Sequence, residues 1–369
     1  MISSRLREHS KTIYALAEEG ARVVVLSHQG RPGEEEFISL KRHADFIKKF
    51  IDKPVKFVTW EEDYVKAIRE MKNCEVLVLD NTRFQKEELD DESSADHSND
   101  AFIKKLGSVG NIFVQDALSV SHRSQASVVG FKKYMPCVVG PLLQKELEAL
   151  DKLEGQTKNG KLLVLGGSKV ADSVKLLSHM LENKMCQEVC IGGLFGELFL
   201  LAKGIDLGAK KKFFEEKGLS KFVPDAKKIL ENHGKKLILP IDLAYEDPQV
   251  EKRIEVKIGD LPIKFATMDI GKDTTELFKK KIRASDVVVF NGPMGVYENP
   301  SFAIGTKKIL EALAFHRCYS ILGGGDTEKA ITSFGLLQQD FSHVSLAGKA
   351  LLQYLSGEPL PGLEILEKK

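Results

Sequence analysis

A chain of 369 residues is long enough for two ordinary domains and too long for one small core. Its apolar fraction of 43% and charged fraction of 29% are those of a globular protein, which excludes a disordered or fibrous chain. Lys plus Arg number 54 against 53 Asp plus Glu, so no overall field marks a nucleic-acid or membrane-surface binder, and any anion site must be local.

The chain opens on SRLREHSKTIYALAEEG, whose apolar residues recur at three- and four-residue spacing and predict a helix. No segment of signal-peptide type occurs there, and no later run reaches membrane-spanning length. RVVVLS then predicts a strand and leads into HQGRP, with His28 and Arg31. SLKRHADFIKKFI is the next helix, and the strand EVLVLD leads into NTRF, with Arg83. Asp90 to Asp100 reads as a polar loop or helix start, and NIFVQDA is a strand followed closely by His122 and Arg123. The stretch from Gly140 to Gly155 is a helix bounded by glycines with no strand of its own, and it reads as the joint between two domains.

Beyond the joint, KLLVLGG runs into SKVADS, EVCIGG into LFGELF, DVVVFNG into PMGVYE and YSILGGG into DTEKA. KLILPID is a further strand, while VKLLSHMLENKM, TTELFKKKIRA and FAIGTKKILEALA are helices. A short strand, a helix and a Pro/Gly-rich tail close the chain. Short runs that are apolar throughout predict strands buried on both faces of parallel sheets, with right-handed crossovers. The expected fold is α/β: two Rossmann-like three-layer α/β/α domains with parallel sheets, joined by a hinge helix. The expected boundaries are 1–139, the joint 140–155, 156–341, and a closing hinge segment and tail 342–369 that returns to the first domain.

The five cysteines, Cys74, Cys137, Cys186, Cys190 and Cys318, are odd in number and scattered, so no disulfide framework is expected and a reducing cytoplasm is the natural setting. Cys186 and Cys190 are close in sequence but lack the further ligands of a zinc site, and they read as buried apolar thiols.

In an open parallel sheet, ligands bind outside the carboxyl ends of the strands. Three first-half strands deliver His28, Arg31, Arg83, His122 and Arg123 to one edge, where like charges repel unless an anion sits among them. Arginine suits the forked geometry of phosphate and carboxylate. Taken singly, each Arg reads as a surface ion pair; at equivalent strand ends together, they read as an anion site. The second half offers glycines at four strand ends leading to helix N-termini, the arrangement that receives phosphates. Lys169 is placed to reach a phosphate, and Asp326 either caps the helix after GGGD, a task Thr327 can share, or holds Mg²⁺. No GxxxxGK[ST] or G-x-G-x-x-G fingerprint is present. One domain for an anionic metabolite, one for a nucleotide and no obvious base fit phosphoryl transfer.

The segments SHQGRP, LDNTRF, SHRSQAS, LGGSKVADS, FNGPMGVYE, GGGDT and LPGLEIL occur in the order and spacing of the phosphoglycerate kinases, which the chain resembles over essentially its whole length, most closely in archaeal wording. The resemblance implies a cytoplasmic hinge-bending enzyme of glycolysis and gluconeogenesis, monomeric or homodimeric, acting on 3-phosphoglycerate and ATP with Mg²⁺, and on neither nucleic acid nor membrane. It implies that Arg5, His28, Arg31, Arg83 and Arg123 bind the substrate, with Arg5, Lys169 and Gly325 catalytic. Gly166, Gly167, Ser168 and Lys169 would meet the nucleotide phosphates, Gly192 and Gly193 the adenine, Asn291 and Pro293 the phosphate-side loop, and Glu298 the ribose. Asp326 would carry the metal, with Gly324, Gly325 and Thr327 along the phosphates. Three departures stand out. The R-V-D-x-N-x-P strand that opens the family is not found before Arg5: the start is misassigned, the sequence is a fragment, or the strand is truly lacking, and in that last case the first sheet loses a member and substrate affinity is expected to fall. A family lysine is replaced by Ser173, with Lys175 a candidate substitute, and an S-T-G-G-G loop reads SLAGK, ending at Lys349. The missing strand and the SLAGK loop motivate the alternative of a non-catalytic nucleotide- or metabolite-binding relative.

Overall fold

A strand whose side chains are apolar on both faces must be covered on both, and the computed structural model shows how each half of the chain does this. The structure describes residues 4–89, 96–153, 155, 157–249 and 251–367. The chain divides into two units, Met1–Leu147 with Pro359–Lys369, and Glu148–Glu358.

The first unit runs α1 (Ser4–Glu18), β1 (Val23–Val25), α2 (Lys41–Phe50), β2 (Val55–Val58), α3 (Tyr64–Arg69), β3 (Val76–Leu79), α4 (Ala101–Gly107), β4 (Phe113–Gln115), α5 (Ala126–Val129), β5 (Cys137–Val139) and α6 (Pro141–Asp151). Its parallel sheet has the order β1-β3-β2, and β4 pairs with β5 in a second parallel sheet. All four β3 residues are buried, and they alternate between two cores. Val76 and Val78 pack with Ile13 and Ala17 of α1 and Ala44 and Ile47 of α2. Leu77 and Leu79 pack with Ile68 of α3 and with Phe102, Ile103 and Leu106 of α4. The strand period of two thus feeds two helical layers. A cleft lined by Val23, Val24 and Leu26 on one side and Phe113 and Val114 on the other separates β1 from β4, each of which has one strand partner among the described residues.

The second unit continues with β6 (Lys161–Leu165), α7 (Val170–Glu182), β7 (Glu188–Ile191), α8 (Gly193–Ala202), α9 (Ala209–Glu216), α10 (Val223–His233), β8 (Leu237–Ile238), β9 (Asp242–Asp247), β10 (Lys252–Lys257), β11 (Thr267–Ile270), α11 (Lys272–Arg283), β12 (Val287–Asn291), α12 (Ile304–Ala314), β13 (Tyr319–Gly323), α13 (Gly325–Ser333), β14 (His343–Val344) and α14 (Lys349–Leu355). Six parallel strands lie in the order β14-β13-β12-β6-β7-β8. Successive strands β6, β7 and β8 spread to one side, and β12, β13 and β14 to the other, so the strand order reverses between β6 and β12. That reversal opens a crevice at the strand ends. Asn291 is level with both Leu165 and Gly323, so three glycine loops leave the sheet side by side.

Two expectations need correction. The second unit is not purely parallel: KLILPID splits into β8 and the start of β9, and β10-β9-β11 form an antiparallel sheet. The charged pattern of KRIEVK hid β10, because half of that strand's residues are exposed and it carries no continuous apolar run. The closing segment from 342 does not stay together. β14 and α14 belong to the second unit, and only the tail from Pro359 belongs to the first. The division between units falls inside α6, after Leu147. The polar stretch at Asp90 lies partly outside the described residues, and its far end forms a short turn capped by Asp96.

All five cysteines are free. Burial pushes the Cys186 thiol up to about 11 and raises that of Cys190 as well, in keeping with inert apolar packing. No helix among the described residues is long and apolar enough to cross a membrane.

Candidate functional site

In the first unit the loop after β3 organises the basic cluster. Asn81 donates from Nδ2 to the carbonyls of Gln29, at 2.7 Å, and Ile38, at 3.0 Å, and its Oδ1 accepts from the Arg83 amide at 3.2 Å. One buried amide side chain therefore fixes the loop bearing His28 and Arg31 against the one bearing Arg83. Glu88 is the second anchor. Its side chain is fully buried and accepts from Thr82 Oγ1 at 3.0 Å, from the Ser127 amide at 2.8 Å and from Ser127 Oγ. His28 Nδ1 lies 3.8 Å from Glu88 Oε1.

The Arg83 guanidinium is buried, donates from Nη1 to the Gly30 carbonyl and has no partner at Nη2. Burial first, then Arg123 and Arg31, lowers its pKa. Burial likewise lowers the pKa of His28, with Arg83 and Arg123 adding to the effect over the opposing pull of Glu88. Those mutual repulsions show that the cations are brought together. Arg5, exposed in the first turn of α1, lines with His28 and Arg123 a cavity of about 590 Å³. A desolvated guanidinium nitrogen without a partner, among like charges, is a site built for an anion. Asn81 and Glu88 escaped the sequence reading because they act on neighbouring loops; the position of Asn81 immediately after a buried strand was the available signal.

In the second unit, β6 leads through Gly166, Gly167 and Ser168 to Lys169, the residue preceding the first turn of α7. β7 leads to Gly192 and Gly193 at the start of α8, β12 to Gly292 and Pro293, and β13 to Gly324 and Gly325 at the start of α13. The Gly167 amide donates to the Pro293 carbonyl at 2.7 Å. A Cβ at Gly193 would stand 2.6 Å from that same oxygen, so the loops meet through bare backbone. Beside them lies a cavity of about 250 Å³, lined by Gly167, Ser168, Gly193, Pro293, Glu298 and Asp326 among others.

Gly324 precedes α13, and no side chain caps that helix. Thr327 instead accepts from the Gly292 amide at 3.2 Å, and Asp326 has Lys329 no nearer than 4.0 Å. The capping reading of both residues is therefore corrected, and the partly exposed Asp326 carboxylate is available to a cation at the cavity. Asn291 is buried at the end of β12, with Oδ1 close to Gly324. Lys169 is exposed on the loop, outside the cavity lining. Ser173 is buried on α7, and Lys175 pairs with Glu358 at 3.2 Å in a small recess that Lys349 shares. Lys210 and Glu197, 3.3 Å apart at the cavity, and Asp269 were not foreseen. The run TMDIG, another short strand ending in glycine, was the signal for Asp269.

A second unit whose parallel sheet carries glycine loops at its switch point, and a first unit carrying a guanidinium cluster, define a two-domain α/β phosphotransferase. The family model described as phosphoglycerate kinase matches residues 2–358. A phosphoglycerate kinase of Archaeoglobus fulgidus is 40% identical over 99% of this chain and 89% of its own length. That of Sulfolobus acidocaldarius is 38% identical over 98% and 87%. The crystal structure of the Pyrococcus horikoshii phosphoglycerate kinase superposes with a TM-score of 0.90 at 34% identity, covering 98% of this chain and 90% of that one. The chain belongs to the phosphoglycerate kinase family. Its chemistry is the transfer of a phosphoryl group to a carboxyl group, and the reading as a non-catalytic relative is not favoured.

Proposed function

We propose that the first unit binds 3-phosphoglycerate, or 1,3-bisphosphoglycerate in the reverse direction, through Arg5, His28, Arg31, Arg83 and Arg123, and that the second binds the Mg²⁺ complex of ATP or ADP. The observation that carries this reading is the buried Arg83 Nη2, unpartnered among converging cations. A carboxylate oxygen of 3-phosphoglycerate attacks the γ-phosphorus, the bond from that phosphorus to the bridging oxygen breaks, and ADP leaves. The attacking carboxylate is already ionised at neutral pH, so no general base is required. Arg5 and Lys169 stabilise the group in flight, and the amides at Gly324, Gly325 and Thr327 meet the phosphates at the start of α13, where the helix dipole favours negative charge.

Mg²⁺ is characteristically held by one or two carboxylates plus substrate phosphates, a demand that the Asp326 carboxylate at the cavity fits. The cation would neutralise phosphate charge. Gly166, Gly167 and Ser168 line the phosphate path, Gly192 and Gly193 the adenine, Asn291 and Pro293 the adjoining loop, and Glu298 the ribose hydroxyls. Hinge-bending brings the two ligands together, and the enzyme serves glycolysis or gluconeogenesis in the cytoplasm. A coupled assay with 3-phosphoglycerate, ATP and Mg²⁺ is expected to show turnover that chelation abolishes. Nucleotide binding without transfer would sink the reading.

A further inference from the structure

The antiparallel sheet β10-β9-β11 has no counterpart in the sequence expectations, yet β11 passes beneath the glycine loop that follows β12. Asp269 on β11 is 3% exposed. Its Oδ1 accepts from the Ile270 amide at 2.9 Å, and its Oδ2 accepts from the Gly305 amide at 2.9 Å and from Arg253 Nη1 at 2.7 Å. Arg253, from β10, also donates to the carbonyls of Ser301, at 2.9 Å, and Ile270, at 2.8 Å, and its Nη2 lies 3.5 Å from Glu255. A Cβ at Gly295, in the loop, or at Gly305, at the start of α12, would run into Asp269 Oδ1. Both backbones therefore close directly on the carboxylate. The loop is tied down on either side as well: the Val296 amide donates to Met268 on β11 at 2.8 Å, and the Met294 amide to Thr306 Oγ1 on α12 at 2.9 Å.

We propose that Asp269, braced by Arg253, is a positioning residue for the nucleotide. It sets the path of the 292–298 loop and hence the placement of Pro293 and Glu298 at the cavity. This rests on the reading of that cavity as the nucleotide site. A purely structural ion pair would need no close fit of two bare glycine backbones against the acid, whereas a brace that sets the loop to within a fraction of an ångström does. Misplacing a positioning element by about 1 Å costs on the order of a hundredfold in the step it serves. The loss of one brace partner should cost less.

The test compares the full-length wild-type chain with Asp269→Asn and Arg253→Gln, the second change lying outside the cavity lining. KM for MgATP and for 3-phosphoglycerate is measured separately with kcat, alongside ADP affinity by calorimetry. The expected result is a rise of about tenfold in KM for MgATP and in the ADP dissociation constant for Asp269→Asn. A smaller rise is expected for Arg253→Gln, with KM for 3-phosphoglycerate within about twofold in both. Unchanged nucleotide constants in both variants, or equal losses for the two substrates, would overturn the proposal. Should Asp269→Asn fail to fold, Arg253→Gln decides alone. A wild-type chain that shows neither turnover nor ADP binding would instead overturn the reading of the site itself.

Discussion

Arg5 is exposed and His28 partly buried within one basic cluster, and different tests suit the two. Arg5 is exposed on a helix end, so its removal opens no cavity in a core. In its proposed role on the group in flight, it should matter chiefly in the transition state. Arg5→Ala is expected to lower kcat by about a hundredfold or more, with ADP affinity from calorimetry within about twofold. Equal losses in both would contradict the role. His28 is held neutral because burial and two neighbouring guanidinium groups lower its pKa below 6.5. Unfolded, it would protonate as the pH fell through 6.5; folded, it resists to a lower pH. It therefore subtracts stability as the pH drops through that window. An anion bound among the arginines reverses the local field, so 3-phosphoglycerate should raise the His28 pKa, as read by NMR titration of its ring. A pKa that stays put on saturation would mean that the anion binds elsewhere.

For the elements, the question is how a strand pays out its side chains to the layers around it, and β3 and β11 answer differently. β3 divides two apolar pairs between two cores, so its pattern was legible as a buried parallel strand. β11 instead places a carboxylate inside. Burial pushes Asp269 up to about 6 from 3.8, outweighing Arg253 and the hydrogen bonds. A folded pKa above the unfolded one means stability fully present below about 3.8 and lost as pH rises towards 6, a difference of about 3 kcal/mol. Other carboxylates add their own slopes, so the comparison is between chains. In urea unfolding from pH 4 to 7, wild type should lose about that much stability relative to Asp269→Asn. Parallel pH profiles would show that the acid ionises as freely as in water.

At the level of the whole chain, each unit has its own core, and the proposal gives each its own ligand. ADP with Mg²⁺ should therefore slow amide hydrogen exchange around 165–170, 291–298 and 323–328. 3-phosphoglycerate should slow it around 27–31, 81–84 and 122–125. Either ligand protecting both sets alone would contradict the assignment of one ligand to each unit. Radius of gyration from small-angle scattering is expected to fall when both ligands are present; an unchanged value would count against hinge-bending.

The sequence by itself determined the α/β class, the parallel strands and the strand ends at which the candidate groups sit. Apolar runs, glycines and arginines act through local rules: period, backbone freedom and the loop at a strand end. Tertiary structure decided what depends on residues distant in the chain. Asn81 gains meaning only from Gln29 and Ile38, and Asp269 only from Arg253 and Gly305. Buried polar groups must find partners wherever the fold brings them, and spacing along the chain carries no record of which partners those will be.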